Sequence, residues 1–155
     1  MQSDSSDYAD LIAPCGMNCA VCRSHLALTH DVKHQGIQWR YCPGCRPRGK
    51  CWASLKKRCS LLAEGNIRFC YECSTFPCEN LKRFDARYQK RYRVSVIENL
   101  TMIRDTSVDV FLEREWRKWK CPNCDEIICC HNGIYFSCGL DHLRSKRKVY
   151  QWNDE

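Results

Sequence analysis

Four cysteine pairs separated by two residues, Cys19/Cys22, Cys42/Cys45, Cys70/Cys73 and Cys121/Cys124, constrain this chain more than any other feature. Two residues between thiols make a tight turn that can set both sulfurs on one tetrahedral ion at about 2.3 Å, with backbone N–H groups turned toward the sulfur charge. Pro43-Gly44 and Pro122-Asn123 suit such turns, because Pro presets φ while Gly and Asn tolerate positive φ. Fifteen cysteines in 155 residues point either to a secreted disulfide scaffold or to an intracellular metal protein. The odd count leaves a thiol over in any closed disulfide set. The opening residues MQSDSSDYAD have no basic start and no apolar run, which predicts no signal peptide. No stretch approaches the ~18 apolar residues of a membrane span. The expectation is a cytoplasmic protein with reduced thiols and no membrane partner.

The remaining composition agrees. The chain is 28% charged and poor in aliphatic residues, so apolar side chains alone give a thin core, and metal must supplement it. The formal charge of +7 is smaller in a loaded protein, since an ion on four thiolates carries a net negative charge. Net charge alone is therefore a weak argument for nucleic acid.

Residues 1–11 read as a flexible tail, disordered or loosely docked. Residues 23–33 suit a short helix with Leu26 on one face, and residues 35–49 form a loop broken by Pro43, Gly44, Pro47 and Gly49. Trp52, Leu55, Cys59 and Leu62 have helical spacing, and Gly65 is a natural stop. Residues 67–76 read as a thiol-rich connector with a short strand. Leu81, Phe84, Tyr88 and Tyr92 share the face of a long helix; Val96, Leu100 and Ile103 continue in a second. TSVD at residues 106–109 resembles a capping box, and Val108, Phe111, Leu112, Trp116 and Trp119 line a third helix. Residues 121–139 suggest paired hairpins. The whole predicts a small metal-stapled, α-rich (α+β) domain with zinc knuckles over residues 12–94. A helical segment, 95–120, follows it, then a zinc-ribbon-like module, 121–139, and a basic, polar tail, 140–155.

The candidate metal ligands are Cys15, Cys19, Cys22, Cys42, Cys45, Cys51, Cys59, Cys70, Cys73 and Cys78, then Cys121, Cys124, Cys130, His131 and Cys138. Several pairings are open. Cys19/Cys22 can join Cys70/Cys73 while Cys42/Cys45 joins Cys51/Cys59. Alternatively Cys15, Cys19 and Cys22, spaced C-x₃-C-x₂-C, can close on Cys78 around a [4Fe–4S] cluster. In the last module the fourth ligand is Cys129, Cys130 or His131, and spacing does not choose. Zinc, as two or three ions, is the expected cofactor, with a [4Fe–4S] cluster as the alternative. A thioredoxin-like reading needs a βαβ unit that is not visible. No carboxylate pair or open metal site appears, so no catalytic residue is assigned.

The order CGMNCAVC, CPGC, Cys51 and Cys59 in a basic stretch, then FCYECSTFPCENL, resembles the prokaryotic family known as domain of unknown function 3795. The opening C-G-x₂-C-x₂-C and the closing C-x₂-C-x₂-F-P-C-E-x-L carry the resemblance, over residues 12–84. Some members are also similar through residues 99–139. The resemblance implies a small cytoplasmic bacterial or archaeal protein taken to bind zinc, with no established activity. The chain departs from the family in lacking a cysteine between Cys51 and Cys59. It also has Tyr135 where the second C-x₂-C of the ribbon would start.

Outside the thiols, His25, His30 and His34 read as exposed or hydrogen-bonded histidines. Residues 82–93 hold six basic residues and one acid, and Arg83, Arg87 and Arg91 recur every four. These three are candidate nucleic-acid contacts, joined by Arg46, Arg48, Lys50 and the RSKRK run at residues 144–148. The functional classes that remain are a zinc-stabilised protein- or nucleic-acid-interaction module, an iron–sulfur electron carrier or redox sensor, and a metal-handling protein.

Overall fold

The computed structural model describes residues 5–49, 55 and 57–131. Cys51, Trp52, Cys138, Tyr135 and the 144–148 run, with the expectations placed on them, lie outside these residues. Seven α-helices are described: α1 Ser5–Ala9, α2 Arg23–Thr29, α3 Cys45–Arg48, α4 Ser60–Ala63, α5 Glu79–Tyr92, α6 Val96–Asp105 and α7 Val108–Lys118. Short 3₁₀ turns lie at Cys19–Val21, Val32–Gln35 and Cys70–Glu72. Extended pairing among the described residues is limited to two antiparallel bridges, Ile12 with Asn18 and Lys120 with Ile127.

The three long helices follow the apolar spacing. Ser95 caps α6 by accepting the Glu98 N–H at 3.1 Å, and Ser107 caps α7 by accepting that of Val110 at 3.1 Å. The cap of α7 is thus Ser107 rather than Thr106. Arg93 turns the chain between α5 and α6 at φ 57°. The buried Asp85 fastens that turn. One of its oxygens accepts from the Ser95 hydroxyl at 2.9 Å and the Ile97 N–H at 3.1 Å, and the other accepts from Gln89 at 2.5 Å.

Residues 5–9 form a helix, and Tyr8 meets the Trp116 ring edge-on at 5.7 Å, so this part of the tail lies against α7. Two local expectations are corrected. The loop over 35–49 contains α3. The connector over 67–76 carries a 3₁₀ turn and no strand.

The core joins segments far apart in sequence. Ile12, Ala13, Cys15, Leu26 and Val32 pack in one buried cluster with Leu81, Val96, Leu100, Ile103 and Phe111. Residues 95–120 therefore share a core with the cysteine-rich segment. At its centre residues 12–18 make a tight hairpin, in which Ala13 donates to the Met17 carbonyl at 2.8 Å and Gly16 to the Ala13 carbonyl at 2.9 Å. Gly16 has φ +90°, and a Cβ there would lie 2.6 Å from the Val96 carbonyl oxygen. Asn99 of α6 donates to the Gly16 carbonyl at 3.0 Å. The second residue of C-G-x₂-C is thus held to glycine by backbone conformation and close packing together.

A candidate metal centre built from knuckles

Two of the C-x₂-C pairs adopt one backbone shape. The N–H of Cys22 donates to the Cys19 carbonyl at 3.0 Å, and that of Cys73 to the Cys70 carbonyl at 3.2 Å. Cys22 and Cys73 have nearly equal torsions, φ −79°, ψ 136° and φ −80°, ψ 136°. Asn18 starts the first turn by accepting the Ala20 N–H at 3.0 Å, and its amide donates at 3.3 Å to the buried Glu115, which also accepts from the Trp119 indole at 2.9 Å. Glu72 starts the second by accepting the N–H groups of Arg68 and Phe69 at 2.6 and 2.5 Å.

Cys42/Cys45 turns differently, through Gly44 at φ +122° into α3. It brings the Cys45 N–H to 3.3 Å from the Cys19 sulfur, and the Arg48 guanidinium to 3.9 Å from the Cys42 sulfur. Arg46 fastens this knuckle from outside. It donates to the carbonyls of Ile12 and Arg68 at 2.6 and 2.7 Å and lies over the Phe69 ring. Arg46 is therefore engaged within the fold, and Arg48 faces a thiol.

These turns gather the thiols into two sets. Cys15, Cys19, Cys22, Cys42 and Cys45 line one cavity of about 80 Å³, with His25, Phe84 and Tyr88 in its wall. Cys59, Cys70, Cys73 and Cys78 line a second, more open one of about 270 Å³. The inner set is largely buried, whereas Cys59, Cys70 and Cys73 are half-buried and Cys78 is exposed. The cavities group the described thiols in another way than spacing alone suggests: Cys19/Cys22 line one cavity with Cys42/Cys45, and Cys78 lines the other with Cys70/Cys73. The reason is topological, since a C-x₂-C spacing fixes its own turn but not which distant turn it meets.

Charge in the two sets follows their surroundings. Burial pushes the Cys15 thiol up to about 12, and burial with the nearby Cys19 does the same for Cys22. The Cys45 thiol, then its backbone N–H, pull Cys19 below the ordinary thiol value. In the outer set, burial and then Cys15 raise Cys70, while the Thr75 hydroxyl at 3.1 Å lowers Cys73. Cys15 thus lies within electrostatic reach of both sets.

The C-terminal pair sits at a hairpin tip. Asp125, at φ 62°, donates to the Cys121 carbonyl at 3.0 Å, and Asn123 N–H approaches the Cys121 sulfur at 3.4 Å. The arms pair through Cys121 with Glu126 and Ile128 with Trp119. This is one hairpin; a ribbon is not present among the described residues. Cys129, Cys130 and His131 lie past the base of the hairpin, away from its tip. Cys130 N–H donates to the Val21 carbonyl at 2.9 Å, and its buried thiol is raised by burial and then by Cys129. His131 has both ring nitrogens engaged. Nδ1 accepts from the Arg23 N–H at 3.2 Å, and Nε2 meets the Tyr88 hydroxyl at 3.3 Å. Burial holds its pKa down to about 3, so the ring is neutral. His131 works as a bolt between α2 and α5, a role that nothing in its sequence context signals.

Among the other sequence candidates, His25 Nδ1 hydrogen-bonds the Cys42 carbonyl at 3.2 Å, and the exposed His34 meets Asp31 at 3.6 Å. Arg83 and Arg87 come together along one groove beside α5, and Arg91, one turn on, is not among the lining residues.

No disulfide joins any two of the thirteen described cysteines. Among the described residues no three His, Cys, Asp or Glu side chains stand in a ligating arrangement. The donor chemistry nonetheless suits a thiophilic ion, because each cavity offers four or more sulfurs and few competing oxygens. No helix among the described residues is long and apolar enough to cross a membrane.

Fold and site together define a helix-rich, cysteine-dense protein with little extended pairing among the described residues. Residues 11–83 match the family model described as Protein of unknown function (DUF3795), so the resemblance carried by the thiol order is shown over that segment. The match ends inside α5 and leaves α6, α7 and the last hairpin outside. No curated protein and no solved structure matches the chain.

Proposed function

We propose that this chain is a cytoplasmic zinc-binding protein whose metal is structural and whose thiol sites support a surface for a protein or nucleic-acid partner. Cys19, Cys22, Cys42 and Cys45 would hold one ion, and Cys59, Cys70, Cys73 and Cys78 a second. Cys121 and Cys124 would contribute to a third. The observation that carries this reading is the meeting of Cys19/Cys22 with Cys42/Cys45 at one buried cavity. Closed four-thiolate sites tie distant segments and contribute folding free energy directly. That supplies what a chain so poor in aliphatic residues lacks. Cys15 supports a second reading, because it lines the same cavity and completes C-x₃-C-x₂-C with Cys19 and Cys22, a spacing that suits an iron–sulfur cluster.

Purification without oxygen, followed by metal counting and an absorption spectrum from ~300 to ~700 nm, separates the two. Two or three zinc ions and no visible band is the expected result. Iron with a broad band near ~400 nm would replace zinc by a cluster at Cys15, Cys19 and Cys22. A folded chain with neither metal would contradict both.

A further inference from the structure

Arg58, Arg83 and Arg87 converge on a groove of about 500 Å³, lined also by Leu55, Asn80, Phe84 and Ala86. One wall is the face of α5 that carries Asn80, Arg83, Phe84 and Arg87; the other carries Leu55 and Arg58. No carboxylate lines the groove among the described residues. All three arginines are exposed, and none is ion-paired among the described residues. The nearby acids are turned to other partners. Asp85, the one acid of residues 82–93, is buried against Gln89, Ser95 and Ile97, and Glu79 pairs with Lys82 at 2.9 Å. Glu79, whose carboxyl is held down first by Lys82 and then by Arg83, is an acid within electrostatic reach, and three arginines along one groove still leave a net positive site suited to a polyanion.

The arrangement favours a strand of phosphates over a single small anion. Positions four apart on a helix are ~6 Å apart along its axis, so Arg83 and Arg87 offer successive contacts to an extended backbone, with Arg58 opposite. The half-buried Phe84 lines the same groove and offers a ring for a base, which an acidic peptide does not need. We propose that this groove binds single-stranded nucleic acid, with Arg58, Arg83 and Arg87 contacting phosphates and Phe84 stacking a base. The inference rests on the metal reading in one respect. The groove shares Leu55, Arg58 and Asn80 with the outer thiol cavity, so a metal there holds the two walls together.

The test is fluorescence anisotropy of a labelled mixed-sequence single-stranded RNA, and of the matching DNA, with the full metal-loaded chain. Three phosphate contacts predict a salt slope near −2, or about a 20-fold loss of affinity from ~50 to ~200 mM salt. Arg58→Gln, Arg83→Gln and Arg87→Gln are each expected to weaken binding and flatten the slope by ~0.7. All three are surface changes, and metal per chain and far-UV circular dichroism should stay as in the parent. Absence of binding at low salt, full binding by the triple variant, or displacement of the strand by a polyglutamate peptide at equal charge would each overturn the proposal. Counting metal in the same samples separates the readings. Metal-loaded protein that does not bind sinks the groove alone, whereas a folded, metal-free protein that binds sinks the thiol sites alone.

Discussion

The backbone N–H of Cys45 points at the sulfur of Cys19 from 3.3 Å, across 26 residues of chain. This contact joins one C-x₂-C turn to another and sets the Cys19 sulfur where a peptide dipole favours its charged form. Cys19→Ser and Cys45→Ser should therefore act on one unit. Each is expected to lose one ion and several kcal/mol of stability, with the double variant little worse than either single, a coupling well above the ~0.5 kcal/mol scatter of independent sites. Denaturant titration of the four proteins gives the cycle; additive losses would mean that the two thiols serve separate sites.

Gly16 and Gly36 both have positive φ, at +90° and +83°, but only Gly16 is walled in. Gly36→Ala should cost about 1 kcal/mol, the backbone penalty alone. Gly16→Ala must also displace the Val96 carbonyl and Leu100, 2.6 and 2.8 Å from the new Cβ, and should lose at least ~2 kcal/mol more. Melting of both variants beside the parent checks the ranking, and equal losses would contradict the packing account.

His131 is expected to matter for stability and not for metal. His131→Ala removes the Nδ1 acceptor of the Arg23 N–H and the packing of a buried ring and should cost about 1–3 kcal/mol, while Tyr88→Phe removes one hydrogen bond and should cost about 1 kcal/mol. Metal per chain should be unchanged in both. Loss of one ion from His131→Ala alone would make the histidine a ligand after all.

Asp85→Ala removes the acceptor that fastens the turn between α5 and α6 and leaves Ser95 and the Ile97 N–H without it. A loss of about 1–3 kcal/mol is expected. Because Asp85 lines neither thiol cavity, metal content should hold until the chain unfolds. Early metal loss in a denaturant series would show that the helical end and the thiol sets are more tightly linked than this.

What was legible in the sequence was local. The spacing of Leu81, Phe84, Tyr88 and Tyr92 gives the face of α5, and TSVD at residues 106–109 marks the start of α7 to within one residue. Each C-x₂-C pair specifies its own turn. What was not legible depends on contacts between distant segments. Nothing near Cys42/Cys45 says that it meets Cys19/Cys22, since a knuckle presents the same two sulfurs to any partner. Arg46 reads as a surface cation, yet the Ile12 and Arg68 carbonyls take it up. Tyr8, in a polar leader, finds its partner in Trp116 more than a hundred residues on. His131 is one of three candidates for a fourth ligand by spacing, and only the fold shows both its ring nitrogens hydrogen-bonded.

The central claim is that two separate thiol sets each hold an ion, and native mass spectrometry of the zinc-loaded chain tests it most directly. Cys42→Ser and Cys73→Ser are each predicted to lose one ion of the parent's complement, and the double variant two. A single substitution that removes both ions, or a double variant that keeps the parent's count, would contradict it.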